Sequence, residues 1–354
     1  MMKRFRFSGG DASTAIRVVT IVVIVLGAIV TGSVSLILED ILPKSDPQEA
    51  IVASRWVFLG SSVLLVAFAV WLRYEVRSFS GTLFSLQVLD EGVTDRLNEG
   101  GMDFRLAADR RYMYLRSIHR WVDYEYSVHH GVLDLHELSH EIGVALEELL
   151  NTAPDEGKKT VAPNMPWPMS MAVGAYLPAR HSDIHILELP RQEDDKEHEF
   201  PLRPAAPGNT VPSARKIHRL PQPTGHRVGA LVTLDTEAGR DDIERLRSFG
   251  ASTVYTVNIP LNTVREGPPS RYEEPELESC GHRIAEELTS IRREHPDDEL
   301  VVAAELSSAV ALSVGWHLTQ HTCHLYRNTY LLYFDGERFV PMRVRPSQPR
   351  HFDS

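Results

Sequence analysis

The run LVVAAELSSAVALSVGWHL, residues Leu300–Leu318, carries one formal charge, Glu305, over nineteen positions. In length and apolarity it resembles a membrane span, which needs about 20 apolar residues. Its internal order is that of a soluble core. Leu300-Val301-Val302-Ala303-Ala304 is a short apolar run with β-branched residues, as in a fully buried strand. Ser307 and Ser308 follow as N-cap candidates. Val310, Val314 and Leu318 then repeat at helical spacing, beside a small-residue stripe of Ser308, Ala311 and Gly315. The reading is strand, polar turn, helix, with the first-turn N–H groups open to an anion such as a phosphate.

The flanking segments extend that pattern. Val228–Leu234 and Thr253–Ile259 read as buried strands, separated by a polar turn at Asp235-Thr236 and a helix over Asp241–Phe249 that Gly250 ends. A second helix is expected from about Glu276 to Glu294. Upstream, Met169–Leu177 and Asp183–Leu189 read as strands, and Pro201–Pro223 as a long irregular excursion. Downstream, Cys323–Tyr326, Tyr330–Phe334 and Phe339–Val344 are three short strands, the last two joined by an Asp335-Gly336 hairpin turn. Alternating strands and helices argue for an α/β domain over 163–354, its parallel sheet covered on both faces and ending in antiparallel strands. Such sheets take ligands beyond the carboxyl ends of their strands, which here means Asp235-Thr236 and Glu305–Ser308.

The N-terminus reads differently. Val18–Leu38 holds no charge and is long enough to cross a bilayer, and Trp56–Leu72, extended to about 54–73, is a second span. Lys3, Arg4, Arg6 and Arg17 precede the first span, and Arg73 and Arg77 follow the second. The positive-inside rule then puts both termini in the cytoplasm and the short loop outside. Residues 1–78 are thus a transmembrane hairpin, and 79–155 a connector that reads as helical, with Tyr112, Leu115, Ile118, Val122 and Tyr126 at helical intervals.

Several function classes are excluded. The net charge of −11 speaks against a binder of polymeric nucleic acid. No G-x-G-x-x-G, P-loop lysine or G-x-S-x-G motif occurs, so no dinucleotide cofactor and no enzyme activity is expected. The two cysteines, Cys280 and Cys323, form no disulfide framework. One catalytic motif does match: His136-Glu137-Leu138-Ser139-His140 is H-E-x-x-H, in which His136 and His140 would bind zinc and Glu137 would act as base. No downstream third ligand stands out among sixteen histidines, and Leu135, Leu138, Ile142, Leu146 and Leu149 make an apolar stripe without a metal. A membrane-anchored metalloprotease is the alternative.

A two-span hairpin joined to an α/β domain ending VVAAELSSAVALSVGWHLTQHTCHLYRNTYLLYF resembles the SAVED-domain membrane effectors of bacterial CBASS antiphage signalling. The features that carry the likeness are the apolar strand Val301–Ala304, the small-residue turn Leu306–Ala309, Gly315 within the helix, and the aromatic Tyr326 and Tyr330. The resemblance implies a sensor of two fused CARF-like, Rossmann-type units. It would bind a cyclic oligonucleotide made by a partner nucleotidyltransferase, self-associate, and disrupt the bacterial inner membrane to kill the infected cell. Position suggests Ser307 and Ser308 for a phosphate, Thr233 and Thr236 for a phosphate or ribose, and Asp235 for a base edge or ribose hydroxyl. Tyr176 or Tyr326 would stack on a base, and Arg271 or Arg327 would pair with phosphate.

Overall fold

The computed structural model describes residues 81–90, 104–124, 127–153, 157–178, 184–189, 197–204, 212–220, 226–234, 240–260, 274–321, 324–334 and 338–352, with a few isolated positions between 27 and 71. The two expected membrane spans lie almost wholly outside these residues. No helix among the described residues is long and apolar enough to cross a membrane.

Contacts divide the chain into two units, one of 1–81, 105–114 and 155–157, the other of Thr82–Phe104, Leu115–Pro154 and Lys158–Ser354. In the first, helix α1 (Phe104–Arg110) ends where the Met113 N–H bonds the Ala108 carbonyl. The second is an α/β body with two mixed sheets. One sheet has the order β2-β1-β5-β6-β7: β1 (Thr82–Asp90), β2 (Tyr114–Val122), β5 (Lys159–Asn164), β6 (Ile184–Glu188) and β7 (His198–Pro201). The other has the order β3-β4-β13-β12-β11-β9-β10-β8. Its strands are β3 (Val128–His129), β4 (Val132–Asp134), β8 (Ala214–Arg219), β9 (Arg227–Leu234), β10 (Ala251–Ile259), β11 (Leu300–Ala304), β12 (Thr329–Phe334) and β13 (Phe339–Arg343).

Four helices form a shared layer between the sheets, in the order α2 (His136–Thr152), α3 (Trp167–Gly174), α6 (Ser308–Leu318) and α5 (Glu274–Glu294). Helix α4 (Arg240–Ser248) packs on β9 and β10 with its own small core around Leu231, Leu246 and Val254. Gly250, at φ +81°, ends α4, as its position predicts.

The opening stretch folds as read. β11 pairs parallel with β9 and β12, its residues Leu300–Ala303 fully buried, and Ser307 caps α6 by accepting the Val310 N–H at 3.3 Å. β9 and β10 run parallel, and β12 and β13 form the antiparallel hairpin.

Four expectations fail. Met169–Leu177 is no strand: it falls on α3 and the turn after it. All eight residues of α3 are buried, so no polar face marks its period. The connector, expected as helix with a break near residues 98–101, is partly strand. β1 is buried along nearly its whole length between β2 and β5, so the alternation Phe84-Ser85-Leu86-Gln87-Val88 separates two buried faces rather than core from solvent. In β2, exposed Leu115, Ser117, His119 and Trp121 alternate with more buried neighbours, a period of two. Only α2 of the connector is a long helix, and β1 and β2 belong to the sheet rather than to a separate spacer. Of Cys323–Tyr326, the described His324, Leu325 and Tyr326 lie in a coil and turn leading to Asn328 at φ +53°. The Pro201–Pro223 excursion contains β8, an edge strand whose polar sequence ARKIHR hides it from hydropathy.

Helices α3 and α6 run side by side in the same direction. Met165 meets Ser308 near their starts, Met171 faces Gly315, and Pro178 accepts from the Trp316 indole at their far ends. A Cβ on Gly315 would overlap the Met171 carbonyl oxygen, and one on Gly174 would overlap that of Leu312. Both obstacles are backbone, which no rotamer change relieves. Gly315→Ala or Gly174→Ala is therefore expected to lower stability by about 2–3 kcal/mol, read as a fall in the denaturant midpoint. An unchanged midpoint would show that the helices are not in backbone contact.

Candidate functional site

The carboxyl ends of β5 and β11 lie together, because the helices that follow them are the paired α3 and α6. After β5 the chain turns through Met165 and Pro166, and after β11 through Glu305, Leu306 and Ser307. The Ser308 hydroxyl donates to the Met165 carbonyl at 2.7 Å and links the two turns. The Glu305 N–H bonds the Val232 carbonyl at 3.1 Å, which ties the β11 turn to β9. Thr233, buried near the end of β9, accepts from the Asn258 side-chain amide on β10 at 3.3 Å. The starts of α3 and α6 thus adjoin, with Ser307 and Ser308 half-buried and Glu305 exposed, so the positive ends of two helix dipoles lie side by side.

Of the residues singled out in the sequence, Ser307, Ser308 and Thr233 gather at this end. Each already has a structural partner. Asp235, Thr236 and Arg271 lie outside the described residues. Tyr176, Tyr326 and Arg327 lie at the other end of the helix layer. Helix α6 has eleven residues, and at 1.5 Å per residue it separates the two ends by about 16 Å.

At that far end Arg345 holds the tyrosines together. Its guanidinium lies 4.7 Å from the Tyr176 ring centroid and 5.6 Å from that of Tyr326. It donates to the Tyr176 hydroxyl at 3.2 Å and to the Ala172 carbonyl at 2.5 Å, so a cation sits at the negative end of α3. The Tyr326 hydroxyl donates to the Met171 carbonyl at 3.1 Å. A cavity of about 490 Å³ nearby is lined by Arg215, Arg283, Arg293 and His321 with Glu286 and Glu287, and its mixed charge favours no single ligand. His317, edge-on to His282 with ring centroids 5.1 Å apart, is almost fully buried; burial first, then the charges of His282 and His321, push its pKa down to about 3, so it is neutral at physiological pH.

The HELSH residues serve α2 and its surroundings. His136 Nδ1 lies 2.8 Å from Asp134 and 2.9 Å from an Arg343 nitrogen, while His140 Nδ1 lies 2.6 Å from the Tyr176 hydroxyl. Glu137 is exposed. Among the described residues no three His, Cys, Asp or Glu side chains are placed to hold a metal ion. The protease alternative therefore gains nothing from the structure.

Residues that sequence reasoning passed over include Asn164 and Asn258, near the carboxyl ends of β5 and β10. Asn164 ends a strand disguised by Pro163, which is unusual inside a sheet. Arg345 follows β13, and no motif or periodicity in the sequence marks it.

No protein-family model matches the chain, and no curated protein matches it. Among solved structures, it is similar to the Acinetobacter baumannii Cap4 SAVED/CARF-domain containing receptor with the cyclic trinucleotide 2'3'3'-cAAA. The identity is 10%, the TM-score 0.42, and the match covers 83% of this chain and 61% of that one. The same receptor with 3'3'3'-cAAA matches at 10% identity and TM-score 0.39, over 83% and 61%. The chain thus spans about three fifths of the length of those receptors.

Asp134 joins β4 to β13 through Arg343. Burial opposes its charge, but hydrogen bonds from His136 and Arg343 outweigh burial and hold its pKa below the usual carboxylate value. A lowered folded pKa gives stability that is present above the unfolded value, about 4, and is lost as pH falls through the folded one. Arg343, 2% exposed, would be left with an unpaired buried charge in Asp134→Asn. That variant is expected to lose about 3 kcal/mol at pH 7, with the gap to wild type closing below pH 4. A pH-independent difference in unfolding free energy would refute the assignment.

Proposed function

We propose that the chain is a messenger-gated membrane effector of the SAVED type. In this reading the two-sheet body binds a cyclic oligonucleotide at the carboxyl ends of β5, β9 and β11. The bound form self-associates, and the N-terminal apolar segments Val18–Leu38 and Trp56–Leu72 then disrupt the bilayer. Both termini would lie in the cytoplasm of a bacterium, where a partner nucleotidyltransferase in a CBASS system supplies the messenger.

The observation that carries the reading is the parallel pair α3 and α6, whose starts are linked by Ser308 and Met165. A cyclic oligonucleotide presents several phosphates on one ring. Two adjacent helix starts match such a ring better than they match a single phosphate. The net charge of −11 is no obstacle, because the donors are local backbone groups. Crowding of several hairpins raises their effective concentration, and Gly27, Gly32, Gly60 and Ser61 supply the small residues at which membrane helices pack.

The full chain in detergent, titrated with a panel of cyclic di- and trinucleotides, tests the binding step. A true messenger at 100 times its Kd adds about 2.7 kcal/mol to stability, visible as a rise in melting temperature. The double variant Ser307→Ala/Ser308→Ala is expected to bind about tenfold more weakly while the unliganded protein loses about 1 kcal/mol for the missing cap. A panel without any stabilising member would refute messenger binding. Unchanged affinity in the double variant would leave the serines as structural groups only.

A further inference from the structure

A cyclic oligonucleotide held at the starts of α3 and α6 presents bases as well as phosphates. Tyr176 and Tyr326, gathered under Arg345, lie the length of α6 away, about 16 Å. The near end has aromatic groups of its own. Tyr333 is the last residue but one of β12, which runs parallel to β11 with Leu332 opposite Ala303. Tyr333 therefore stands beside Ala304, where β11 gives way to the turn that leads to Ser307. Along β12, Leu331 packs in the main core with the helix layer, while Tyr330 and Leu332 pack in the small core under α4. Alternation puts Tyr333 on the Leu331 side, where it packs against the main core, as does Leu306.

Tyr124 reaches the same place from the other sheet. It follows β2, in step with Ile118 and Val122, which belong to the main core. Its ring centroid lies 6.4 Å from that of Tyr333, with the planes tilted by 47°. A tilted contact at this distance is no stack, so neither ring covers the face of the other. Both residues are half-buried. The pair links β2 to β12 across the two sheets, as Ser308 and Met165 link the turns after β11 and β5. Other aromatic residues nearby are placed differently. Trp167, which starts α3, is 7% exposed. Phe334 points to the opposite face of β12, against Phe339 and with Arg245 of α4 at 6.0 Å.

We propose that Tyr333 stacks on a base of the bound messenger and that Tyr124 is the positioning residue that holds the Tyr333 ring in place. The helix starts then take phosphate while the tyrosine takes a base, so two parts of one ligand are read by two parts of one crevice. Every base has a π-face, so a stacking tyrosine adds affinity without choosing among bases. The loss on removing the Tyr333 ring is therefore expected to be similar for adenine and guanine at that position. This deepens the proposed function and rests on that reading of the crevice.

The test uses the full chain in detergent and a panel of cyclic di- and trinucleotides, each labelled in turn at every base position with 2-aminopurine, whose fluorescence falls on stacking. At one position of a ring that binds, the wild-type chain is expected to quench the label below its level in the free ring. Tyr333→Leu should remove that quenching and weaken binding about fivefold to 150-fold. Tyr333→Phe should keep both, because a phenyl face stacks without the hydroxyl. Tyr124→Leu should lose part of the quenching with a smaller loss of affinity, and Phe334→Leu, on the opposite face, should change neither. Melting of each unliganded variant checks the fold, and if Tyr333→Leu does not fold, quenching by wild type and by Tyr333→Phe decides the question. Binding without quenching, quenching that survives Tyr333→Leu, or an equal loss in Phe334→Leu would overturn the stacking role while leaving messenger binding intact. A panel in which no ring binds the wild-type chain would overturn both.

Discussion

The body depends on the backbone contact between α3 and α6. Two α/β halves, each with its own sheet, need one shared hydrophobic layer, and that layer forms only if the central helices approach past the usual side-chain spacing. Gly174 and Gly315 permit this from opposite sides, each lying against a carbonyl of the other helix. Met169, Met171, Leu312 and Trp316 then fill the space around the contact and are essentially fully buried. The same closeness fixes where the strand ends meet. The turns after β5 and β11 become neighbours because the helices behind them cannot separate.

A second constraint fastens the polar seam between distant parts of the chain. Arg343 of β13 reaches Asp134 at 2.6 Å, and β13 pairs parallel with β4 there. The buried Gln348 accepts from the Val344 and Arg345 N–H groups and donates to the Thr329 and Met342 carbonyls. Every hydrogen-bonding atom of that amide is used in an apolar setting, where an unmatched group costs about 1–3 kcal/mol. The residues after the last strand are thus part of the sheet's closure rather than a tail.

Much of the second sheet was legible in the sequence. Val228–Leu234, Leu300–Ala304 and the helix ending at Gly250 carry clear signals, because each joins an apolar run to an unambiguous cap or turn. The first sheet was far less legible. Its helix α3 is buried all round, its strand β1 is buried on both faces, and its strand β5 contains a proline. Pro168 in the first turn was the one available sign of the helix. That single misreading also displaced a site residue. Were Met169–Leu177 a strand, Tyr176 would sit at its carboxyl end, beside the crevice. As the residue following a helix it lies at the opposite end, under Arg345. Ser307 and Ser308 fall at the strand end and helix start expected of them, because strand, turn and helix were each legible.

The pairing of β4 with β13 has a consequence for synthesis. Asp134 and Arg343 are 209 residues apart, so the ribosome completes β4 and α2 long before their partner strand exists. Between them the chain leaves to build most of the first sheet, then returns. The larger sheet cannot close from its amino-terminal side until the last strand leaves the exit tunnel, and its early strands wait with an open edge. Such long-range closure makes folding slow and exposes intermediates to misassembly. A chain cut short before Arg343 would keep its N-terminal apolar segments and α2 but could not complete the sheet that the rest of the body is built on.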